Sequence, residues 1–119
     1  MERTELRIPA TTIGPALARA ALPTVLPPAS ATLVADVQLL VSDLVGDAVT
    51  SVPSTGGDVV RVSVQTTPAV LRVEVTTGHG ASRPSPGTWP AMLLGRLATR
   101  WGHDGDRGPG RIWFEIALC

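Results

Sequence analysis

The chain has 119 residues, 44% of them hydrophobic and 17% charged, and a formal net charge of zero. That length suits one domain with a two-layer core, and a neutral chain without a basic run makes nucleic acid and anionic membrane poor partners. All ten basic residues are arginine, which excludes a lysine-dependent P-loop and Schiff-base chemistry.

The single cysteine, Cys119, ends the sequence. No internal disulfide can form, and a reducing compartment is the natural home. No apolar run approaches the roughly 20 residues of a membrane span, and MERTELRIPA lacks the apolar core of a signal peptide. A cytoplasmic protein is expected.

In chain order, Thr4 to Pro9 alternates Leu6 and Ile8 with polar neighbours and predicts a short first strand. Thr11 or Thr12 then caps a helix whose buried side is expected at Ile13, Leu17, Ala20, Ala21 and Leu22, with Pro15 tolerated in the first turn. Pro23 through Pro28 reads as a connector.

Ser30 to Val52 is the longest apolar-periodic segment. Leu33, Val34, Val37, Leu40, Val41, Leu44, Val45, Ala48 and Val52 recur at steps of three and four, which predicts a helix burying one broad face. Pro27 and Pro28 precede it, Ser30 or Thr32 can cap it, and Pro53 stops it. At about 100° per residue, Asp36, Asp43, Asp47 and Thr50 form a narrow polar stripe opposite the middle of the apolar face. Asp43 and Asp47 are four apart, a repulsion of a few tenths of a kcal/mol unless a cation sits between them. A solvated face and a functional site both fit this stripe.

Ser51 to Gly57 is a turn cluster. Asp58 to Gln65 turns Val60, Val62 and Val64 inward and Arg61 and Ser63 outward; Val70 to Val75 turns Leu71, Val73 and Val75 inward and Arg72 and Glu74 outward. With the tight turn at Thr66 to Pro68 they predict a β-hairpin. Thr76 to Gly87 is a loop rich in Gly, Ser and Pro. A third helix is expected from about Trp89 to Trp101, with Met92, Leu93, Leu97 and Trp101 on one side and Arg96 and Arg100 four apart. Gly102 to Gly110 then reads as a turn and Arg111 to Leu118 as the closing strand, with Trp101, Trp113 and Phe114 in the core. The fold expected is an α+β two-layer sandwich: a four-stranded, mainly antiparallel sheet with three helices on one face.

The order of these elements, with Val41-Ser42-Asp43-Leu44-Val45-Gly46-Asp47-Ala48-Val49, resembles the N-box helix of the GHKL (histidine-kinase-like) ATPases. It is most similar to the small bacterial anti-sigma-factor serine kinases, where the stretch reads roughly V-S-E-L-V-T-N-A-V. The hairpin followed by Gly78-His79-Gly80, Arg100-Trp101-Gly102, and Trp113-Phe114-Glu115 carry the likeness over nearly the whole chain.

The resemblance implies a catalytic general base at Asp43, shorter by one methylene than the family's glutamate. It implies a magnesium-binding and nucleotide-binding position at Asp47, where the family has asparagine, and nucleotide contacts at Thr76, Gly78 and Gly80. Thr76 stands where the family's aspartate receives the adenine amino group, and a threonine supplies no charge-assisted bond. Thr88-Trp89-Pro90 replaces the second glycine box, although proline lacks the N–H that approaches phosphate.

Two functions are therefore weighed. One is an active ATP-dependent serine kinase. The other, favoured, is a regulatory protein-binding module of the anti-sigma-factor, partner-switch type in which binding of ATP and magnesium is weak or lost. Its partner is a sigma factor, an anti-anti-sigma protein or a second copy in a homodimer. The expected partner surface joins the Pro-rich loop with Trp89 to the Arg96 and Arg100 side of the third helix. Apart from the resemblance, the glycines read as chain turns, His79 and His103 as lone loop residues, and Asp43 and Asp47 as surface charges.

Overall fold

A computed structural model describes residues 2–51, 59–77, 89–104 and 110–118. Its elements are β1 (Glu2–Pro9), α1 (Gly14–Val25), α2 (Ala31–Ser51), β2 (Val59–Thr66), β3 (Val70–Thr77), α3 (Trp89–Leu97), β4 (Arg100–Asp104) and β5 (Gly110–Ala117). The strands form one sheet in the order β1-β2-β3-β5-β4, and every neighbouring pair is antiparallel. Among the described residues, no helix is long and apolar enough to cross a membrane.

Among the described residues the sheet therefore has five strands instead of the expected four. The additional one, β4, consists of residues assigned from sequence to the end of the third helix and the turn after it. The helix stops at Leu97 because the next residues already belong to the sheet. The Thr99 N–H donates to the Glu115 carbonyl at 2.7 Å, and the Ala117 N–H donates to the Thr99 hydroxyl at 2.9 Å. Arg100 then faces Glu115 and Asp104 faces Arg111 in the β4–β5 ladder.

All three helices cover one face. Val60, Val62, Val64, Leu71, Val73, Val75, Ile112 and Phe114 from the strands join Ala18, Leu22, Val37, Leu40, Val41, Leu44, Val45, Leu93 and Leu94 from the helices in one core. The inward-facing side chains of the hairpin are thus as expected. In β5, parity separates the aromatics. Phe114 is buried in the core, whereas Trp113 points to the helix-free side, contrary to its expected place in the core.

The helix α2 behaves as its pattern predicts. Ser30 is its cap, its hydroxyl accepting the Leu33 N–H at 3.1 Å. The helix α1 does not. Its buried residues are Gly14, Ala18 and Leu22, while Ile13 and Leu17 are exposed. Close approach explains the choice: a Cβ on Gly14 would stand 2.7 Å from the Pro9 carbonyl and 3.5 Å from Val45. Only a glycine fits at that first turn, so Ile13 and Leu17 face outward there, while Leu22 at the far end of the helix is fully buried. Neither Thr11 nor Thr12 caps the helix; Ile13 holds the cap position without a side-chain bond.

Pro23 lies inside α1, not in a connector. Having no N–H, it leaves the Arg19 carbonyl without its helical donor. The Gln38 side-chain amide of α2 donates to that carbonyl at 2.9 Å, so the proline is accommodated by its neighbouring helix. In the helix layer α1 packs over β1, α2 over β2 and β3, and α3 against β4, with α2 between the other two.

Candidate functional site

Asp43 and Asp47 stand one turn apart on α2, as their spacing requires. The flank of α2 that meets α1 carries Gln38, Val45 and Gly46. Asp43 and Asp47 lie away from it, toward α3 and solvent. Asp43 is more than a surface charge. Its Oδ2 is buried without a hydrogen-bond partner. Burial first, and the nearby Asp47 carboxylate second, raise its pKa above the ordinary aspartate value. Two acids with one carboxylate pressed toward neutrality form a pair suited to a proton or a cation. Among the described residues, no third histidine, cysteine or acid joins them into a metal-holding cluster.

The structure does not bring Thr76 to this pair. Strand alternation puts Leu71, Val73, Val75 and Thr77 on the helix side, and Thr76 with Arg72 and Glu74 on the other. Thr77, buried at the end of β3, is the hydroxyl on the side of Asp43. The signal was present in the sequence: the alternation that turned Val73 and Val75 inward assigns Thr77 inward as well. Gly78, Gly80, His79 and Thr88 lie outside the described residues. Trp89 begins α3 and is 56% exposed, with Pro90 beside it in the first turn.

Of the expected partner surface, the Pro-rich loop before Trp89 lies outside the described residues, and the two arginines do not share a face. Arg96 lies in the last turn of α3, in the helix layer, whereas Arg100 belongs to β4 and projects onto the helix-free face. There it joins a chain of alternating charges that sequence reading missed. Arg100 donates to Glu115 from Nε at 2.8 Å, and Arg72 reaches the other Glu115 oxygen at 3.1 Å. Arg72 also donates to Glu74 at 3.1 Å. Arg111 bridges Glu74 at 3.5 Å and Asp104 at 2.8 Å.

The Arg100 hydrogen bond, aided by Arg72 and opposed by burial, holds the Glu115 carboxyl below the usual range. Bonding to Asp104 and the charge of Glu74 raise the already high pKa of Arg111. Trp113 lies within this grid, its ring 4.3 Å from the Arg72 guanidinium carbon and 5.9 Å from that of Arg100. Gly102 makes room for it: a Cβ there would be 2.6 Å from the indole.

A cavity of about 620 Å³ lies at the opposite end of α2, bounded by Glu2, Pro27, Ser30, Leu33, Pro68 and Leu118. Neither Asp43 nor Asp47 borders it. No model of a known protein family and no curated protein sequence matches the chain.

Proposed function

We propose that this chain is a cytoplasmic regulatory protein-binding module of the anti-sigma-factor, partner-switch type, built on a histidine-kinase-like ATPase scaffold with weak or lost ATP binding. The partner is a sigma factor, an anti-anti-sigma protein or a second copy; nucleic acid and membrane surfaces play no part. The architecture supports the scaffold: one antiparallel sheet with α2 central among three helices and the two acids of the N-box on α2. The observation that carries the loss of nucleotide is the end of β3. On the side where Asp43 and Asp47 stand, β3 closes with Thr77, a neutral hydroxyl, while its one carboxylate, Glu74, faces away into the arginine grid. Losing a charge-assisted bond to adenine costs about 1.5–3 kcal/mol, roughly ten- to a hundredfold in affinity.

A calorimetric titration with ATP and magnesium tests this reading. Little or no heat of binding is expected. Micromolar affinity would overturn it, and would favour the alternative of an active serine kinase. One observation favours that alternative: Asp43, with a raised pKa and an orphaned oxygen, has the character of a general base. Phosphate transfer from ATP to a peptide serine, abolished by Asp43→Asn, would establish it.

A further inference from the structure

The sheet face that no helix covers carries its charges unevenly. On its β3–β5–β4 half, Arg72, Arg100 and Arg111 meet Glu74, Asp104 and Glu115, three against three. On its β1–β2 half, strand alternation places Arg3, Glu5, Arg7 and Arg61 together, three arginines against one acid. The whole chain is neutral, so this surplus of two positive charges is balanced elsewhere in the molecule. The helix layer supplies part of the balance, since α2 carries Asp36, Asp43 and Asp47 and no base.

The placement of the three arginines is specific. Arg7 stands directly opposite Arg61 in the β1–β2 ladder, where like charges destabilise and opposite ones would contribute. Glu5 comes no nearer than 3.8 Å to Arg61, and Arg7 makes no ion pair among the described residues. On the other side of Arg61 stands Thr76, itself opposite Arg111, so a neutral hydroxyl separates these two arginines. Arg3 is steadied from beneath: its Nε donates to the buried Ser63 hydroxyl at 3.1 Å, which leaves its two terminal amino groups for another acceptor. Arg3, Arg7 and Arg61 are all exposed. Planar guanidinium forks held this way are suited to gripping carboxylates.

We infer that the β1–β2 half of the helix-free face is a docking surface for a short acidic segment of a partner protein. This gives the module proposed above a place for its partner and the charge of the segment it holds, and rests on that reading for its regulatory use. The acids nearby select peptide over nucleic acid. Glu5 within the patch and Glu74 at its border oppose a continuous polyanion, whereas carboxylates on a peptide can be spaced around them. Arg3 and Arg7 are four residues apart on β1, about 13 Å, the separation of two carboxylates four residues apart on an extended peptide. One carboxylate then lies at Arg3 and the other in the fork between Arg7 and Arg61, with a neutral or basic side chain over Glu5.

A magnetic-resonance titration of the full chain with a synthetic peptide containing Glu-Ser-Lys-Ser-Glu tests this. The Nε–H signals of Arg3, Arg7 and Arg61 should shift together and saturably, and the binding should weaken as salt rises. The same peptide with glutamine for glutamate should not bind. Arg7→Glu and Arg61→Glu should each weaken binding by about tenfold, while Arg19→Glu, at an exposed position of α1 in the helix layer, should leave it unchanged. Arg7→Gln should weaken binding about threefold without lowering the melting temperature, because the pair it breaks is repulsive. A purely structural arginine would show the reverse.

Shifts confined to other residues, an equal loss in Arg19→Glu, or tighter binding of an RNA oligonucleotide than of the peptide at the same salt would overturn the inference. The module reading fails separately, by micromolar ATP affinity measured on the same protein.

Discussion

The two faces of this sheet are built by different physics, and they share the same strands. The helix-covered face is held by apolar burial: Phe114, Leu71, Val73 and Val62 are fully enclosed between the sheet and α2. The helix-free face carries Arg72, Glu74, Arg100, Asp104, Arg111 and Glu115 in one alternating chain. The first kind of contact is nearly indifferent to salt and pH and sensitive to volume. The second is screened by salt and responds to pH, and each exposed pair contributes little alone. Stability therefore resides chiefly in one face, which leaves the other free to vary as a surface for a partner.

Adjacent residues of β5 break the comparison most directly. Phe114→Ala should cost about 3–5 kcal/mol, the usual range for a buried phenylalanine. Trp113→Ala removes a larger ring and should cost only about 1–2 kcal/mol, its cation–π contacts and partial burial. Chemical denaturation of both variants in low and high salt checks this. The Trp113 effect should shrink with salt and the Phe114 effect should not. Equal losses would mean that the two faces are not energetically distinct.

What the sequence disclosed divides along similar lines. The hairpin and α2 were legible because alternation and the three-four repeat are properties of the local chain. The strand β4 was not. It has five residues, includes Gly102, and becomes a strand through its ladder with β5, whose partners stand between Asp104↔Arg111 and Arg100↔Glu115, well outside the strand's own sequence. In α1 Leu22 is buried as expected, but Ile13 and Leu17 are not, because close approach of backbone at Gly14 selected size over hydrophobicity in the first turn. In β5, Ile112, Trp113 and Phe114 are all apolar, so composition alone could not assign parity. Of the candidate site, the Asp43–Asp47 pair was readable from spacing. The orphaned Asp43 oxygen was not, since it depends on what packs around α2.

A smaller effect sharpens the contrast through pH. Glu115 has a depressed pKa in the folded chain, so its contribution is complete above the unfolded value, about 4.3, and is lost as pH falls through the lower folded value. Glu115→Gln should cost about 1 kcal/mol at neutral pH, a modest figure because Arg100 is largely exposed. The gap between wild type and variant should close in acid. A gap that persists undiminished at pH 2 would show that the charge of Glu115 is not what stabilises the grid.

The smallest effect is expected to have the opposite sign, and it lies on α2. Asp43 has a raised folded pKa, so folding favours its protonated form. The stability it contributes is present below the unfolded value of about 3.9 and is lost as pH rises through the folded value. At neutral pH the chain therefore keeps a partly buried carboxylate with one oxygen unbonded beside a second acid, although asparagine would relieve both the desolvation and the repulsion. Asp43→Asn should raise stability at pH 7 by about 0.5–1 kcal/mol and leave it unchanged near pH 3. Thermal unfolding at the two pH values reads this out. A destabilising aspartate is what a stability–function trade-off leaves at a site that binds or reacts. Magnesium should narrow the difference between wild type and Asp43→Asn if the acids hold a cation. If they hold no cation, magnesium should leave that difference untouched.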